Sequence, residues 1–348
     1  MADRDRKGAP DSLLKPGERP TLKTLSRATG LAVATVSRAL HDAPDIGEQT
    51  KRRVAEAARQ IGYRPNRAGV RLRTGKTHVI SLAISTEHEM VNQHTGRLIS
   101  SIAGTLRGTP YHLIVTPYFP SEDIMTPIRY ILETGSADAI IMNQIEPRDR
   151  RLRHLMDMDF PFAAHGRSDW ADVHAYFDFD NKRFAELGLE AFARRGRKSV
   201  LVMAPPPHQS YAQHLVAGAR KIAAQRQLAL EVLDTATSDD RSEHVEAAIT
   251  DYLLAHPETD AIICPSTLSA MTITAAAESL GRRIGDDIDL LSKEAGDFLS
   301  KFRPGILSVV EDVAQTGAFL ARAALHRIEN RDEPPMQFLD VPQQVRGA

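Results

Sequence analysis

Cysteine is almost absent: the 348 residues include one, Cys264. Neither an intrachain disulfide nor a thiolate-rich zinc site can therefore form, and a reducing cytoplasm is the expected compartment. Long apolar runs are missing too. Stretches such as Ala139 to Met142 and Ser199 to Ala204 fall far short of the roughly 20 residues a membrane helix needs. The first ten residues have no apolar core and do not read as a secretory signal. Catalytic signatures are lacking: there is no GxGxxG, Walker-type loop, GxSxG elbow or HExxH helix. The 13 histidines are scattered, and the closest spacings, His88 with His94 and His208 with His214, do not follow metal-site patterns. Cys264 ends an apolar run and reads as a buried structural thiol. No catalytic residue, metal or cofactor is expected.

Hydrophobic residues make up 42% and charged residues 26% of the chain, an ordinary globular mixture, and the length suggests two or three folding units. The net charge of −1 conceals an asymmetry. Residues 1–76 hold 17 Lys/Arg against 8 Asp/Glu, a balance of +9, while the rest hold 27 against 37, a balance of −10. A basic head on an acidic body suggests a nucleic-acid contact confined to the head. Charge alone would fit a solvated basic tail equally well.

Residues 1–19 lack periodicity and read as a flexible extension. From there, residues 20–63 read as three helices. Thr21 is a good N-cap for the first, which has Leu22, Leu25 and Ala28 at helical spacing. Gly30 breaks the pattern. A second helix is predicted over about Val33–Leu40 with Val36, Ala39 and Leu40 inward. A third is predicted over about Glu48–Ile61 with Val54, Ala57, Ala58 and Ile61 buried. Two short helices joined by a turn, followed by a third, match a helix-turn-helix unit. Its second helix would lie in the major groove. Arg38 would bond a guanine edge, Val33 and Ala34 would touch thymine methyls, and Thr35 and Ser37 would hold phosphates. A small three-helix domain with solvated basic residues is the plainer alternative.

The next segment, residues 64–76, is basic, and its helix-permissive stretch, after Pro65 and up to Arg73, is only about two turns long, too short to be a stable helix alone. It should fold only with support, such as a twin segment and a DNA groove. Leu72, set between Arg71 and Arg73, could wedge into a base step of the minor groove; otherwise the segment is a plain linker. Residues Thr21-Leu-Lys-Thr-Leu-Ser-Arg-Ala-Thr-Gly-Leu-Ala-Val-Ala-Thr-Val-Ser-Arg-Ala-Leu40, with Gly62-Tyr-Arg-Pro-Asn66, resemble the LacI/GalR transcription factors. The resemblance implies a headpiece, a hinge helix formed on operator DNA, and an effector-binding core. It places Val33, Ala34 and Arg38 at base-reading positions and Leu72 at the intercalating one. Thr21, Tyr63, Asn66 and Arg67 join the expected DNA-contacting set. Ala32 stands where the family has a capping Ser, Gly47 where a Ser often caps the third helix, and Gly69 and Val70 where Ala and Arg are usual. Gly69 predicts a looser hinge.

After Thr77, short apolar runs alternate with amphipathic stretches. The runs are 79–84, 112–117, 137–142, 160–164, 199–204, 230–233, 260–264 and 288–291. Such alternation implies parallel sheets covered by helices on both faces, and residues 77–348 suffice for two lobes. The resemblance agrees, implying lobes similar to periplasmic sugar-binding proteins joined by three crossovers. These are expected near His165–Arg167, Arg303–Ile306 and Ala324–Ile328. The N-lobe would then hold about 77–165 and 306–325, and the C-lobe about 166–305 and 326–348. A ligand would sit between the lobes, at the C-terminal ends of strands. Matching to the family's pocket gives Ser85, Asn143, Arg167, His214, Ser266, Lys293 and Glu294 as effector contacts. Several depart from the usual residue, so the effector's identity does not carry over. Polar groups of this kind suit a polyhydroxylated ligand; taken singly, each fits a solvated loop residue. Trp170 and Tyr211 could stack on a sugar ring or simply pack.

The expected function is a ligand-responsive DNA-binding repressor. Its partners would be a palindromic operator, a small carbohydrate effector and a second copy of itself, as a homodimer or tetramer, with no membrane. A solute-binding protein of the same fold is the alternative, which the basic head disfavours.

Overall fold

The computed structural model describes residues 20–64, 69, 71, 74–85, 93–119 and 121–347. The chain divides into two compact units, meeting at Thr77 and His78, and each is described by itself.

The first unit contains α1 (Leu22–Thr29), α2 (Val33–Leu40) and α3 (Glu48–Ile61). Thr21 starts α1 with a reciprocal cap: Thr24 N donates to Thr21 Oγ1 at 3.1 Å, and Thr21 N donates to Thr24 Oγ1 at 2.7 Å. This satisfies two donors that a helix start otherwise leaves open. Gly30 ends α1 in the left-handed conformation at φ 65°, which favours glycine because it lacks a Cβ. Leu25, Val36 and Val54, one from each helix, are fully buried together. Ala32 and Gly47 supply no side-chain cap to α2 and α3, as their residue types require. Of the following segment, Gly69, Arg71 and Thr74 have helical backbone, and Gly75 N donates to Arg71 O at 2.8 Å.

The second unit has two parallel sheets. The first joins β1 (Val79–Ser85), β2 (His112–Tyr118), β3 (Ala139–Met142), β4 (Phe162–His165), β5 (Tyr176–Phe179) and β11 (Gln337–Asp340) in the order β11-β5-β4-β3-β1-β2. The second joins β6 (Ser199–Val202), β7 (Ala229–Val232), β8 (Ala261–Cys264), β9 (Asp289–Glu294) and β10 (Leu307–Val310) in the order β10-β9-β8-β6-β7. Inner strands such as β3 and β8 are buried along their whole length, as strands covered by helices on both faces must be.

Helices α4 (Gln93–Thr105) and α12 (Val313–Glu329) cover one face of the first sheet, and α5 (Thr126–Thr134) with α6 (Arg150–Asp157) cover the other. In the second lobe, α7 (Asn181–Arg194) and α8 (Ser210–Arg226) lie opposite α9 (Ser242–Ala255), α10 (Thr267–Ser279) and the short α11 (Phe298–Phe302). Gly218 lets α8 approach α7 closely, since a Cβ there would sit 2.2 Å from Lys182 O.

The lobe boundaries differ from the sequence expectation. β5 belongs to the first sheet, so the chain first crosses after Phe179 rather than near His165–Arg167. β10 belongs to the second sheet, so the next crossing follows Val310, not Arg303–Ile306. All of α12 covers the first lobe, so the expected crossing at Ala324–Ile328 is also displaced. The chain instead returns after β11, and Arg346 bridges to Ser308 of the second sheet. The cause is common to all three: polar residues interrupt β5 (Asp178), β10 (Ser308) and β11 (Gln337 and Asp340), so none of them reads as an apolar run. The true strands complete the sheets beyond the predicted switch points.

Candidate nucleic-acid interface and ligand cleft

In the first unit, Val36 and Ala39 turn inward on α2 while Val33, Ala34 and Arg38 are exposed. Helical periodicity places Ala34 and Arg38 away from the buried 36 and 39, and Val33 is exposed at the first position of the helix. Thr35 and Ser37 are half-buried beside them. Val33 leaves 41% of its surface open. Arg38 forms an ion pair with Asp45 in the loop that follows. Thr21 serves as the α1 cap, so its hydroxyl is engaged within the helix start. Tyr63 packs half-buried against the head's core, behind the left-handed Gly62 that ends α3. Asn66, Arg67 and Leu72 lie outside the described residues.

In the second unit a cavity of about 360 Å³ opens between the lobes, within the range of small-molecule sites. Strand ends and helix starts build it. Of the seven residues expected from sequence, Ser85, Asn143, Ser266, Lys293 and Glu294 line it. Ser85 ends β1, Asn143 follows β3, and Lys293 and Glu294 end β9. Ser266 caps α10, accepting from Ser269 N at 3.1 Å.

Arg167 and His214 do not line the cavity. Arg167 stands behind it and donates from Nε to Asp178 Oδ2 at 2.7 Å. Asp178, near the end of β5, is the lining residue. Burial pushes its pKa up, and Arg167 offsets only part of that rise. His214 interacts electrostatically with the same pair, and burial pulls its imidazole pKa down.

The cavity contains further groups that sequence reasoning missed. Glu311 follows β10 and is 3% exposed. Its Oε2 lies 2.9 Å from Lys293 Nζ, and its Oε1 lies 3.6 Å from Nε2 of both His94 and His165. Burial opposes ionisation of Glu311, yet Lys293 and the two imidazoles hold its pKa well below the usual carboxylate range. The two imidazoles stack with their planes 3° apart. His94, His165 and Glu311 place three ligand-type atoms within 4.8 Å of one another, but the carboxylate already has Lys293 as counter-charge. Across the cleft, Asp239 accepts from Gln144 Nε2 at 3.5 Å and Gln209 Nε2 at 3.3 Å. Tyr211, Phe179 and Phe298 supply aromatic walls; Trp170 does not line the cavity.

A buried arginine fixes one rim. Arg151 bonds both oxygens of Asp149 and donates to the backbone oxygens of Asn143 at 3.1 Å and Gln144 at 2.9 Å. Several polar atoms remain open. Ser85 Oγ, Asn143 Oδ1, Ser210 Oγ and Glu294 Oε1 are buried and have no hydrogen-bond partner. Buried polar atoms are normally paired, so four open ones around one cavity mark it as built for a polar occupant. Cys264 is not a nucleophile here: burial pushes its thiol up to about 12. Among the described residues no helix is long and apolar enough to cross a membrane.

Known proteins match both units. Residues 21–66 match the family described as bacterial regulatory proteins, lacI family, and residues 97–316 match the periplasmic binding proteins and sugar binding domain of LacI family. The HTH-type transcriptional regulator AglR of Rhizobium meliloti (strain 1021) is 28% identical over 325 residues, covering 91% of this chain and 90% of its own. RafR of Escherichia coli, also an HTH-type transcriptional regulator, is 31% identical over 194 residues, 55% of this chain and 57% of its own. Among solved structures, the lac repressor dimer bound to operator and the anti-inducer ONPF superposes with a TM-score of 0.78 at 18% identity. It covers 93% of this chain and 97% of that one. The CelR–cellobiose complex gives 0.68 at 18% identity, covering 93% and 98%. The chain belongs to the LacI family of bacterial regulatory proteins and is a DNA-binding transcriptional regulator.

Proposed function

We propose that this regulator is a cytoplasmic repressor, without enzymatic activity, whose grip on a palindromic operator is set by a small carbohydrate bound between its lobes. The observation that carries the effector reading is the set of open buried atoms on Ser85, Asn143, Ser210 and Glu294. A polyhydroxylated ligand supplies both donors and acceptors to such groups, and leaving them unmet costs about 1–3 kcal/mol each. Similar proteins support the class: one solved neighbour holds cellobiose, and curated relatives include ribose operon repressors.

Two copies would pair through their second units and place the heads on two half-sites. Val33, Ala34 and Arg38 would read base edges, with Thr35 and Ser37 on phosphates. The hinge helices would complete themselves against each other in the central minor groove, each inserting Leu72. An effector that prefers a different lobe arrangement would remove that mutual support. Such coupling is typically worth about 1–3 kcal/mol and is reciprocal.

The test is fluorescence anisotropy of a labelled operator, selected from random duplexes, titrated with protein in the presence and absence of sugars. A sugar that shifts operator affinity at least fivefold is expected. Leu72→Ala should weaken operator binding sharply while sugar binding persists. Operator affinity indifferent to every sugar would sink the effector reading, and an unchanged Leu72→Ala variant would sink the wedge.

A further inference from the structure

We infer that the cleft takes an uncharged, hydroxyl-bearing sugar and rejects the phosphorylated or carboxylated forms of the same sugar, with Glu294 setting that preference. The inference rests on the carbohydrate reading above and narrows it to a charge class.

Among the described residues, four carboxylates line the cavity, Asp178, Asp239, Glu294 and Glu311, against one fixed cation, Lys293. That cation is committed. Its Nζ lies 2.9 Å from Glu311 Oε2, 3.3 Å from Asn181 Oδ1 and 4.9 Å from the centre of the Phe179 ring. An anionic ligand recruiting Lys293 would strip the counter-charge from Glu311, which is buried, and an uncompensated buried charge is strongly unfavourable. His94 and His165 already face the same carboxylate. The Arg167 guanidinium is engaged by Asp178, outside the lining.

Glu294 stands apart from the other three acids. Its Oε2 accepts from Leu299 N at 3.0 Å, which anchors the start of α11. Its Oε1 is buried with no hydrogen-bond partner, and among the described residues it forms no ion pair. The side chain is 3% exposed. A carboxylate oxygen accepts hydrogen bonds, and this one has no donor. A sugar hydroxyl completes it, whereas a phosphate or carboxylate brings another anion to a site with no spare cation among the described residues. Asn143 Oδ1 is likewise an acceptor, and Ser85 and Ser210 offer neutral hydroxyls. The open groups thus call for donors from the ligand, and rejection of anions follows from unmet like charge.

Isothermal titration calorimetry of the full-length protein tests this with matched probes: glucose, glucose 6-phosphate, glucuronate and glucosamine, then cellobiose with cellobionate and melibiose with melibionate. At least one neutral sugar should bind, and its anionic counterpart should bind at least tenfold more weakly. Glu294→Gln, checked for an unchanged circular dichroism spectrum, should weaken the neutral sugar about tenfold and narrow the gap to the anionic form. An anionic sugar binding as tightly as its neutral counterpart would overturn the inference without touching the carbohydrate reading. So would a preference for glucosamine over glucose, which would make Glu294 a counter-ion for an ammonium. Binding by none of the probes would remove the carbohydrate reading and this inference with it. Because the neutral and anionic pair is compared on the unaltered protein, a misfolded variant does not rescue the claim.

Discussion

Arg167 reaches the ligand cavity only through Asp178: its Nε donates to Asp178 Oδ2 at 2.7 Å, and it is Asp178, not Arg167, that lines the wall. The arginine is therefore a positioning residue. Removing it should cost on the order of 3 kcal/mol, because it leaves a buried carboxylate without its partner. Arg167→Met should also weaken effector binding. The stability deficit carries a pH signature. Asp178 has a folded pKa above its ordinary value of 3.8, and loss of Arg167 raises it further. A raised folded pKa favours the folded state below the unfolded value and works against it as pH rises. Urea unfolding of Arg167→Met should thus lie near that of the parent protein at pH 3.5 and fall increasingly below it toward pH 7. A deficit independent of pH would mean that the arginine matters only by packing.

Glu311 has the opposite sign. Its folded pKa is held well below the ordinary 4.5 by Lys293 and the two imidazoles despite burial. The stability it contributes is therefore present above pH 4.5 and is lost as pH falls through the depressed value. Glu311→Gln should be markedly less stable than the parent at pH 7, and the two urea midpoints should converge below pH 4.5. If the gap widened on acidification, the ion-pair assignment would be wrong.

Asp45 competes for the residue expected to read bases. Arg38 pairs with it on an exposed surface, where such pairs contribute little stability and exchange readily for a guanine edge. Arg38→Ala should reduce discrimination between the selected operator and one with a substituted guanine by about 1–3 kcal/mol. Asp45→Asn should tighten binding to both, since it frees the guanidinium and removes a negative charge. Anisotropy titrations at several salt concentrations separate the two effects. A lost phosphate contact lowers the salt slope by about one and leaves the preference between sequences unchanged.

The headpiece was legible because its signals are local. Thr21 caps, Gly30 ends, and the inward residues of α2 and α3 follow helical spacing, so the predicted bounds of those two helices match the observed ones. Ser85, Asn143 and Glu294 were legible through the resemblance to the family's pocket, and their places at strand ends agree with the edge at which open parallel sheets bind. Asp178 and Glu311 were not, since each depends on a strand whose apolar run is broken by a polar residue, Asp178 itself in β5 and Ser308 in β10. His94 and His165 are far apart in sequence and meet only because β4 and α4 pack in one lobe. Arg167 was assigned a contact from its place in the family pattern, whereas its reach is settled by Asp178, eleven residues on.

Two glycines inside helices make opposed forecasts. At Gly218 a Cβ would sit 2.2 Å from Lys182 O and 3.0 Å from Lys182 Cα. Those are backbone atoms and cannot swing aside. Gly218→Ala must push α8 away from α7, and overpacking of this kind costs about 1–3 kcal/mol. At Gly104, on the exposed face of α4, nothing lies within 4 Å of an added Cβ. Gly104→Ala should then stabilise by up to about 1 kcal/mol, the difference in helix propensity between the two residues. Thermal and urea melts of both variants measure the contrast. Equal effects at the two positions would mean that the α7–α8 approach is looser than the 2.2 Å spacing requires, and with it the packing that carries the first turn of α8 and its Ser210 to the cleft.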